Sequence, residues 1–149
     1  MGERDLISNR KAFHEFEILE TFEVGLVLLG TEIKSLRANG GSLQEAFVTV
    51  ERGELWLIGS SIKPYSFGGL YNHEERRKRK LLAHGREILK INSAIREKGL
   101  TCVPLGLYLK GGRAKLKIAL AKGKKLHDKR EAIKARDEKR AVSRAIKNF

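Results

Sequence analysis

The sequence lacks the features of a secreted, disulfide-bonded or membrane-spanning protein. Its one cysteine, Cys102, excludes an internal disulfide and a thiolate metal cluster. Its longest apolar runs, residues 26–29 and 55–58, are far shorter than the roughly 20 residues that cross a bilayer. The first residues have no apolar signal-peptide core, and Leu6 stands where a myristoylation signal needs serine or threonine. We therefore expect a soluble, cytoplasmic protein with no membrane partner.

Signatures of catalysis are equally scarce. The four histidines, His14, His73, His84 and His127, are scattered singly and lack the spacing of metal ligands. Residues 123–125 (GKK) resemble the end of a phosphate-binding loop, but the rest of that pattern is missing. We expect a binding protein rather than an enzyme, with no cofactor and no metal. An RNA-modifying enzyme is an alternative, and it would require an acid–base pair or a cofactor site.

What the chain has in excess is positive charge. Its 149 residues include 31 Lys and Arg against 18 Asp and Glu, which gives a net charge of +13. A chain this basic indicates an anionic partner, and nucleic acid is the commonest one. An anionic membrane surface is the alternative partner. The low aromatic content, 7%, suits structured RNA, which proteins read through shape, phosphates and 2′-hydroxyls.

The C-terminal tail, residues 122–149, is the most basic part of the chain. It holds eleven Lys or Arg against four acidic residues. Such a segment repels itself and buries too little apolar surface to fold alone. As a helix it would place a thin apolar stripe, including Val142, Ile146 and Phe149, between basic flanks. We expect a tail that is disordered alone and helical when bound to a polyanion.

The residues before the tail show patterns that predict strands and two helices. Apolar residues alternate from Phe16 to Leu28, which predicts a long strand with a bend at Gly25. A short helix follows over residues 30–37 with Thr31 as its N-cap, and its outer side carries Lys34 and Arg37. Residues 43–51 and 54–59 predict a hairpin, and residues 62–67 a possible further strand.

A basic run and a longer helix come next. Residues 76–80 (RRKRK) predict a solvated segment that directly precedes a helix. That helix contains Ile88, Ile91 and Ile95 on one side, is extended by residues 81–82, and ends at Gly99. The last hairpin alternates apolar residues at 103, 105, 107 and 109 and again at 114, 116, 118 and 120, around a turn at residues 110–113.

This order of elements predicts a mainly β protein: an OB-like Greek-key barrel with flanking helices. An SH3-like barrel and an α+β sandwich are the alternatives. We divide the chain into an N-terminal arm (residues 1–12), an RNA-binding barrel (13–121) and the basic tail (122–149). OB barrels bind nucleic acid with cationic rims and stacking rings. Candidate cations are Lys34, Arg37, Arg79, Lys80 and Lys110, and candidate rings are His14, Tyr65 and His84.

Five segments together carry a family resemblance. They are residues 9–12 (NRKA), 20–25 (ETFEVG), 30–37 (GTEIKSLR), 79–82 (RKLL) and 121–130 (AKGKKLHDKR). In this order and spacing the chain resembles the SmpB (small protein B) family of bacterial ribosome rescue. The resemblance implies an OB-fold barrel that binds the tRNA-like domain of transfer-messenger RNA. It also implies delivery by elongation factor Tu to a stalled 70S ribosome, where the tail enters the empty messenger channel near the decoding centre and the protein mimics an anticodon arm.

The resemblance also assigns candidate sites. For transfer-messenger RNA it implies Glu23, Leu82 and His84, with Asn9, Lys11, His14, Lys34 and Arg37 nearby; Arg79 and Lys80 join them as candidate cations. For the ribosome it implies tail residues Gly123, Lys124, Lys125, His127, Asp128, Lys129 and Arg130, with His127 stacking on ribosomal RNA. We expect a monomer. A ribosomal or other structural RNA-binding protein is the remaining alternative.

Overall fold

The computed structural model describes residues 3–123, and these residues build one barrel with flanking helices. In chain order the elements are β1 (Glu3–Ser8), α1 (Arg10–Glu15), β2 (Phe16–Leu26), α2 (Gly30–Arg37), β3 (Gly41–Ser42), β4 (Phe47–Glu51), β5 (Glu54–Ile58), β6 (Ser61–Ile62), a 3₁₀ turn (Gly69–Tyr71), β7 (Arg79–Leu82), α3 (Gly85–Lys98), β8 (Thr101–Lys110) and β9 (Arg113–Gly123). The predicted basic tail, residues 122–149, falls almost wholly outside the described residues.

Strand β8 closes the sheet into a barrel because both of its edges are paired. One edge pairs with β9 along its whole length. The other edge pairs with β4 at Cys102↔Val48 and with β1 over its second half. From β4 the sheet continues through β5, β7, β2 and β9, always antiparallel. The mainly β fold that the sequence predicts, a barrel with flanking helices, is confirmed.

Two β-bulges divide the apolar residues between two cores. The main core fills the barrel and includes Leu57, Leu116 and Ile118, while α3 contributes Ile91. A smaller core lies under α1, and its members are Ala12, Val103, Leu105, Ala119 and Ala121. The register shifts between Pro104 and Gly106 in β8, and again between Ile18 and Glu20 in β2. A one-residue bulge moves the following side chains to the opposite face, so the single apolar face predicted for residues 103–109 was wrong.

Four predicted segments differ from the structure. Residues 3–12 do not form a separate arm, because β1 pairs with β8 and α1 packs over the second core. Leu81 and Leu82 belong to strand β7 rather than to the helix that follows. Strand β9 continues to Gly123, where it pairs with Phe16, so the barrel ends two residues later than predicted. Of the strand expected over residues 62–67, only Ile62 is in a strand, the two-residue β6 (Ser61–Ile62).

Helix α2 has its predicted bounds and helix α3 has its predicted end, with one change of detail at the start of α2. Helix α2 spans Gly30–Arg37, but Thr31 is not its N-cap. The buried carboxylate of Glu32 instead accepts a hydrogen bond from the backbone N–H of Leu29, at 2.8 Å. Helix α3 ends at Gly99, whose φ of +67° is readily adopted by glycine, as predicted. Buried Cys102 packs in the main core, and burial raises the pKa of its thiol to about 12.

Candidate nucleic-acid interface

The outward side chains of β7, β2, β9 and β8 form one continuous basic face. Its residues are Leu82, Glu23, Lys115, Lys117, Tyr108 and Lys110. Their relative positions follow from the strand register. Gly25 lies opposite both Leu82 and Lys115, Glu23 lies opposite Lys117, and Tyr108 lies opposite Lys115. Glu23 and Leu82, which are far apart in sequence, are therefore brought onto one surface of the barrel.

Glu23 is the acidic residue of the basic face, and its neighbours hold it ionised. Its carboxylate accepts a hydrogen bond from the Tyr108 hydroxyl, and the Lys110 ammonium lies 3.6 Å from its Oε1. The hydrogen bond from Tyr108 and the positive charge of Lys110 hold the pKa of Glu23 below its usual value. The carboxylate thus holds the Tyr108 phenol and the Lys110 ammonium in place on the basic face.

Apolar surface interrupts the basic face at two places. Leu82 is 54% exposed and lies beside Val27 and Ile33 in a shallow depression of about 370 Å³, which Arg113 and Lys115 also line. A second groove, of about 540 Å³, runs between exposed Phe13 of α1 and the strands, along Glu23, Tyr108 and Lys117. Apolar surface bordered by cations suits a ribose or base face with its phosphate alongside.

Helix α2 presents a second set of cations. Lys34 and Arg37 are exposed, as predicted from their spacing. The Lys34 ammonium lies 5.7 Å from the ring centroid of Tyr65, within the range of a cation–π contact. Tyr65, predicted as a stacking ring, is half-buried at this contact.

Arg79 is not on the surface, and its prediction as an RNA contact was wrong. Its side chain is 0% exposed and lies beside Glu32, which is also 0% exposed. Its Nε donates to Glu32 Oε2 at 2.8 Å, and its two terminal nitrogens donate to the Ser60 hydroxyl and to backbone carbonyls of residues 60, 74, 75 and 77. Arg79 faces inward because strand β7 alternates, so that Lys80 and Leu82 point outward.

Glu32, Arg77 and Arg79 form what we call the buried arginine cluster. Arg77 donates to both carboxylate oxygens of Glu32, at 2.6 and 2.9 Å. Burial alone would raise the pKa of Glu32, but hydrogen bonds from Arg77 and from the Leu29 N–H, together with the charge of Arg79, hold it below its usual value. The cluster ties the start of α2 to β7 and to the loop before it, and so fixes where Lys34 and Arg37 stand.

Asn9 is also buried rather than available to RNA. Its Nδ2 donates to the carbonyls of Leu43 and Pro104, at 3.2 and 2.8 Å, and its backbone N–H donates to the Leu105 carbonyl. These bonds hold the junction of β1 and α1 against the barrel. Asn9 is therefore a positioning residue for α1, which carries Lys11 and His14.

The remaining predicted residues are exposed or half-buried. Lys80 forms an ion pair with Glu54, at 2.8 Å, and Lys11 lies 3.6–3.7 Å from Glu45 and Glu15. His14 and His84 are exposed, and His84 directly precedes α3. Gly123 is the last residue of β9, while Lys124, Lys125, His127, Asp128, Lys129 and Arg130 lie outside the described residues.

Sequence reasoning missed Tyr108 and Phe13, which line the basic face. Alternation with buried Leu107 and Leu109 already places Tyr108 at an outward position of β8, but its contact with Glu23 depends on pairing between distant strands. Within residues 3–123, no three His, Cys, Asp or Glu side chains come together as candidate metal ligands. No helix in that range is both long and apolar enough to traverse a bilayer.

Three comparisons with known proteins agree. The SmpB protein family model matches residues 6–148. The SsrA-binding protein of Protochlamydia amoebophila is 60% identical over 143 residues, covering 96% of this chain and 94% of the relative. The SsrA-binding protein of Chlamydia trachomatis serovar A is 54% identical over 147 residues, covering 99% and 97%. A solved structure described as "tmRNA-SmpB: a journey to the center of the bacterial ribosome" aligns with a TM-score of 0.67 and 46% identity, covering 79% of this chain and 83% of that one.

Proposed function

The chain belongs to the SmpB family, and we propose that it binds the tRNA-like domain of transfer-messenger RNA and acts in bacterial trans-translation. The observation that carries the proposal is the basic face: Lys110, Lys115 and Lys117 surround Glu23 and Tyr108 on one rigid surface of the barrel. A folded RNA presents phosphates at fixed distances, and a rigid set of cations can match them.

Glu23 sets the register of the RNA on this face. Its ionised carboxylate repels phosphates, so the favourable register places a base edge or a ribose hydroxyl at Glu23 and the phosphates on the lysines. Leu82 and the depression beside it cover an apolar part of the same nucleotides. Lys34 and Arg37 of α2, Lys11 and His14 of α1, and Lys80 and His84 of the β7–α3 region extend the contacts at its borders. Asn9 and Arg79 act by positioning those helices.

The tail acts on the ribosome. We place Gly123, Lys124, Lys125, His127, Asp128, Lys129 and Arg130 in the empty messenger channel near the decoding centre, with His127 stacking on ribosomal RNA. The protein, as a monomer, thereby stands in for an anticodon arm after elongation factor Tu has delivered the complex. The density of positive charge in residues 122–149 supports a polyanionic destination for this segment.

Sequencing the RNA that co-purifies with the protein tests the binding half of the proposal. We expect transfer-messenger RNA to be strongly enriched with the wild-type chain. Enrichment should fall in the Lys115→Ala/Lys117→Ala variant but not in an Arg96→Ala/Lys98→Ala variant, which removes the same charge from the exposed end of α3. Recovery of ribosomal RNA alone, at every salt concentration, would favour a constitutive ribosomal protein instead.

Truncation after Gly123 tests the division between barrel and tail. This end point leaves β9 whole, including its pairing with Phe16. We expect the truncated chain to bind free transfer-messenger RNA with nearly unchanged affinity and to lose tagging of peptides on stalled ribosomes. Equal loss of binding and tagging would show that the two parts do not act separately.

A further inference from the structure

A loop between β6 and β7 exposes three large apolar side chains to solvent. Phe67, Leu70 and Tyr71 are 85%, 99% and 89% exposed, more than any other large apolar side chain in the described part of the chain. None of residues 64–72, which we call the aromatic loop, lines either depression of the basic face. A cluster of this kind indicates a contact surface rather than ordinary scatter of apolar residues.

The aromatic loop is braced from within. The side chain of Asn72 accepts from the Tyr65 N–H at 2.7 Å and donates to the Tyr65 carbonyl at 2.8 Å, which closes the loop at its base. Inside it, the Gly68 N–H donates to the Tyr65 carbonyl and the Tyr71 N–H to the Gly68 carbonyl. A side chain at Gly68 would meet the Asn72 amide at 2.6 Å. The exposed rings therefore stand on a fixed backbone.

His73 fastens the loop to helix α2. Its Nε2 faces the carbonyls of Ile62 and Lys63, at 2.8 and 3.1 Å, so that nitrogen carries the proton. Its Nδ1 then accepts a hydrogen bond from the Thr31 hydroxyl, at 2.9 Å. The loop and the outer side of α2 form one surface.

That shared surface is cationic. Lys34 lies 5.7 Å from the Tyr65 ring centroid, and Tyr65 packs edge-on against Phe67 with centroids 5.6 Å apart. Arg37 is exposed on the last turn of α2, and the backbone N–H of Lys63 donates to the Gly40 carbonyl just beyond that helix. Residues 63–72 contain no Asp or Glu. Exposed rings bordered by cations are the combination with which proteins bind unpaired nucleotides.

We propose that the aromatic loop is a stacking platform for unpaired RNA bases, in which Phe67 and Tyr71 contact the bases while Lys34, Arg37 and Lys63 attract the flanking phosphates. The inference depends on the RNA-binding part of the proposed function but uses a different surface from the basic face. The bases belong either to transfer-messenger RNA or to ribosomal RNA, and the two arms of the experiment separate these sources.

The test compares rings with apolar side chains of another shape. Binding of the full chain is measured to a transfer-messenger RNA transcript and to purified 70S ribosomes without messenger. Phe67→Leu/Tyr71→Leu keeps apolar bulk but cannot stack, so we expect affinity to fall about fivefold or more per lost stack for the RNA that supplies the bases. Tyr71→Phe should retain wild-type affinity. Leu89→Ser, which removes an exposed apolar side chain from α3, should change nothing.

Salt dependence adds a readout that a folding defect would not reproduce. The Leu double variant should weaken binding without changing the slope of log affinity against log salt, because rings contact no phosphate. Lys34→Ala should make that slope shallower by roughly one unit. Circular dichroism establishes that each variant is folded.

Three outcomes decide whether the aromatic loop is a stacking platform for RNA bases. Wild-type affinity of the Leu double variant for both RNAs would overturn the platform. The platform would also be overturned if Phe67→Leu/Tyr71→Leu retained ribosome binding while Phe67→Ala/Tyr71→Ala lost it. That pattern indicates an apolar contact with protein. If the wild type binds ribosomes but not transfer-messenger RNA, and the Leu variant weakens ribosome binding, the proposed function fails while the stacking platform stands.

Discussion

Two carboxylates in this molecule, Glu32 and Glu23, each hold two partners in place, one in the interior and one on the surface. Glu32 is fully buried between Arg77 and Arg79. Glu23 is on the basic face, between Tyr108 and Lys110. The chemistry of the two groups is alike, yet the buried arginine cluster holds elements of the fold together, while Glu23 holds two side chains, Tyr108 and Lys110, on the basic face.

The difference between the two carboxylates follows from their exposure to solvent. A buried ion pair that loses one partner leaves a charge without water or counter-charge, which costs several kcal/mol. An exposed pair that loses a partner is resolvated at once, and its contribution to folding is small. Charge in the interior is therefore poorly replaceable, whereas charge on the surface is free to serve binding.

The strongest way to test the comparison is to remove Glu32. Glu32→Gln leaves Arg79 buried without a counter-charge, and we expect the free energy of unfolding to fall by about 3–5 kcal/mol. Urea denaturation followed by circular dichroism measures this change. Glu23→Gln is the matched control and should cost less than about 1 kcal/mol. Equal losses in the two variants would mean that the buried arginine cluster is not the stabilising one.

Low pH should remove the contribution of Glu32 to the free energy of unfolding. Because the pKa of Glu32 is lowered in the folded state, its stabilisation is fully present above the ordinary value of 4.5 and is lost as pH falls through the folded-state value. The gap in urea midpoint between wild type and Glu32→Gln should therefore be constant near neutral pH and narrow below about pH 4.5. A gap that widens in acid would contradict this assignment.

On the surface side of the comparison, the lysines of the basic face should matter for binding and little for folding. Lys115→Ala/Lys117→Ala should lower affinity for transfer-messenger RNA about tenfold or more and make the salt slope shallower by roughly two units. Filter binding between low and moderate salt measures both quantities. Arg96→Ala/Lys98→Ala controls for net charge, and an identical response from that variant would remove the basic face from the interface.

Glu23 itself should affect selectivity more than affinity. Glu23→Gln removes a negative charge from the surface that we propose binds phosphates, but it also loosens Tyr108 and Lys110. We expect a several-fold fall in the ratio of affinities for transfer-messenger RNA and for an unrelated structured RNA of equal length. An unchanged ratio would mean that Glu23 does not set the register.

The smallest effect should come from Lys80, because Glu54 already binds its ammonium at 2.8 Å. Lys80→Ala should flatten the salt slope by one unit at most. Glu54→Gln, which frees Lys80, should tighten binding slightly. If Lys80→Ala leaves the slope unaltered, Lys80 contacts Glu54 and no phosphate.

The local patterns in the sequence predicted what depends on local spacing. Helix α2, the end of α3 at Gly99 and both hairpin turns follow from neighbouring residues, and the structure has them. Glu32 and Arg79 are 47 positions apart, and nothing in a run of five basic residues distinguishes the one that folds inward. The two bulges are likewise set by pairing between distant strands, so the division of the apolar residues into two cores was not predictable from alternation alone.

The candidate site likewise contains some residues that lie at the surface, as the sequence led us to expect, and others that do not. The family motifs named Glu23, Leu82, Lys34 and Arg37, and the structure places all four at the surface. It does not place them together: Glu23 and Leu82 lie on the strands, while the two cations lie on α2. Asn9 and Arg79 carried the same motif signal but are buried, because a motif marks that a residue is needed without distinguishing contact from support.

Strand β1 has a consequence for handling the protein. It covers the half of the β8 edge that β4 leaves open, from Gly106 to Lys110. Without it, a row of backbone amides and carbonyls would be available for pairing with another copy of the chain. Damage to this short terminal segment should thus become visible as precipitation during purification, long before any weakening of RNA recognition is detected.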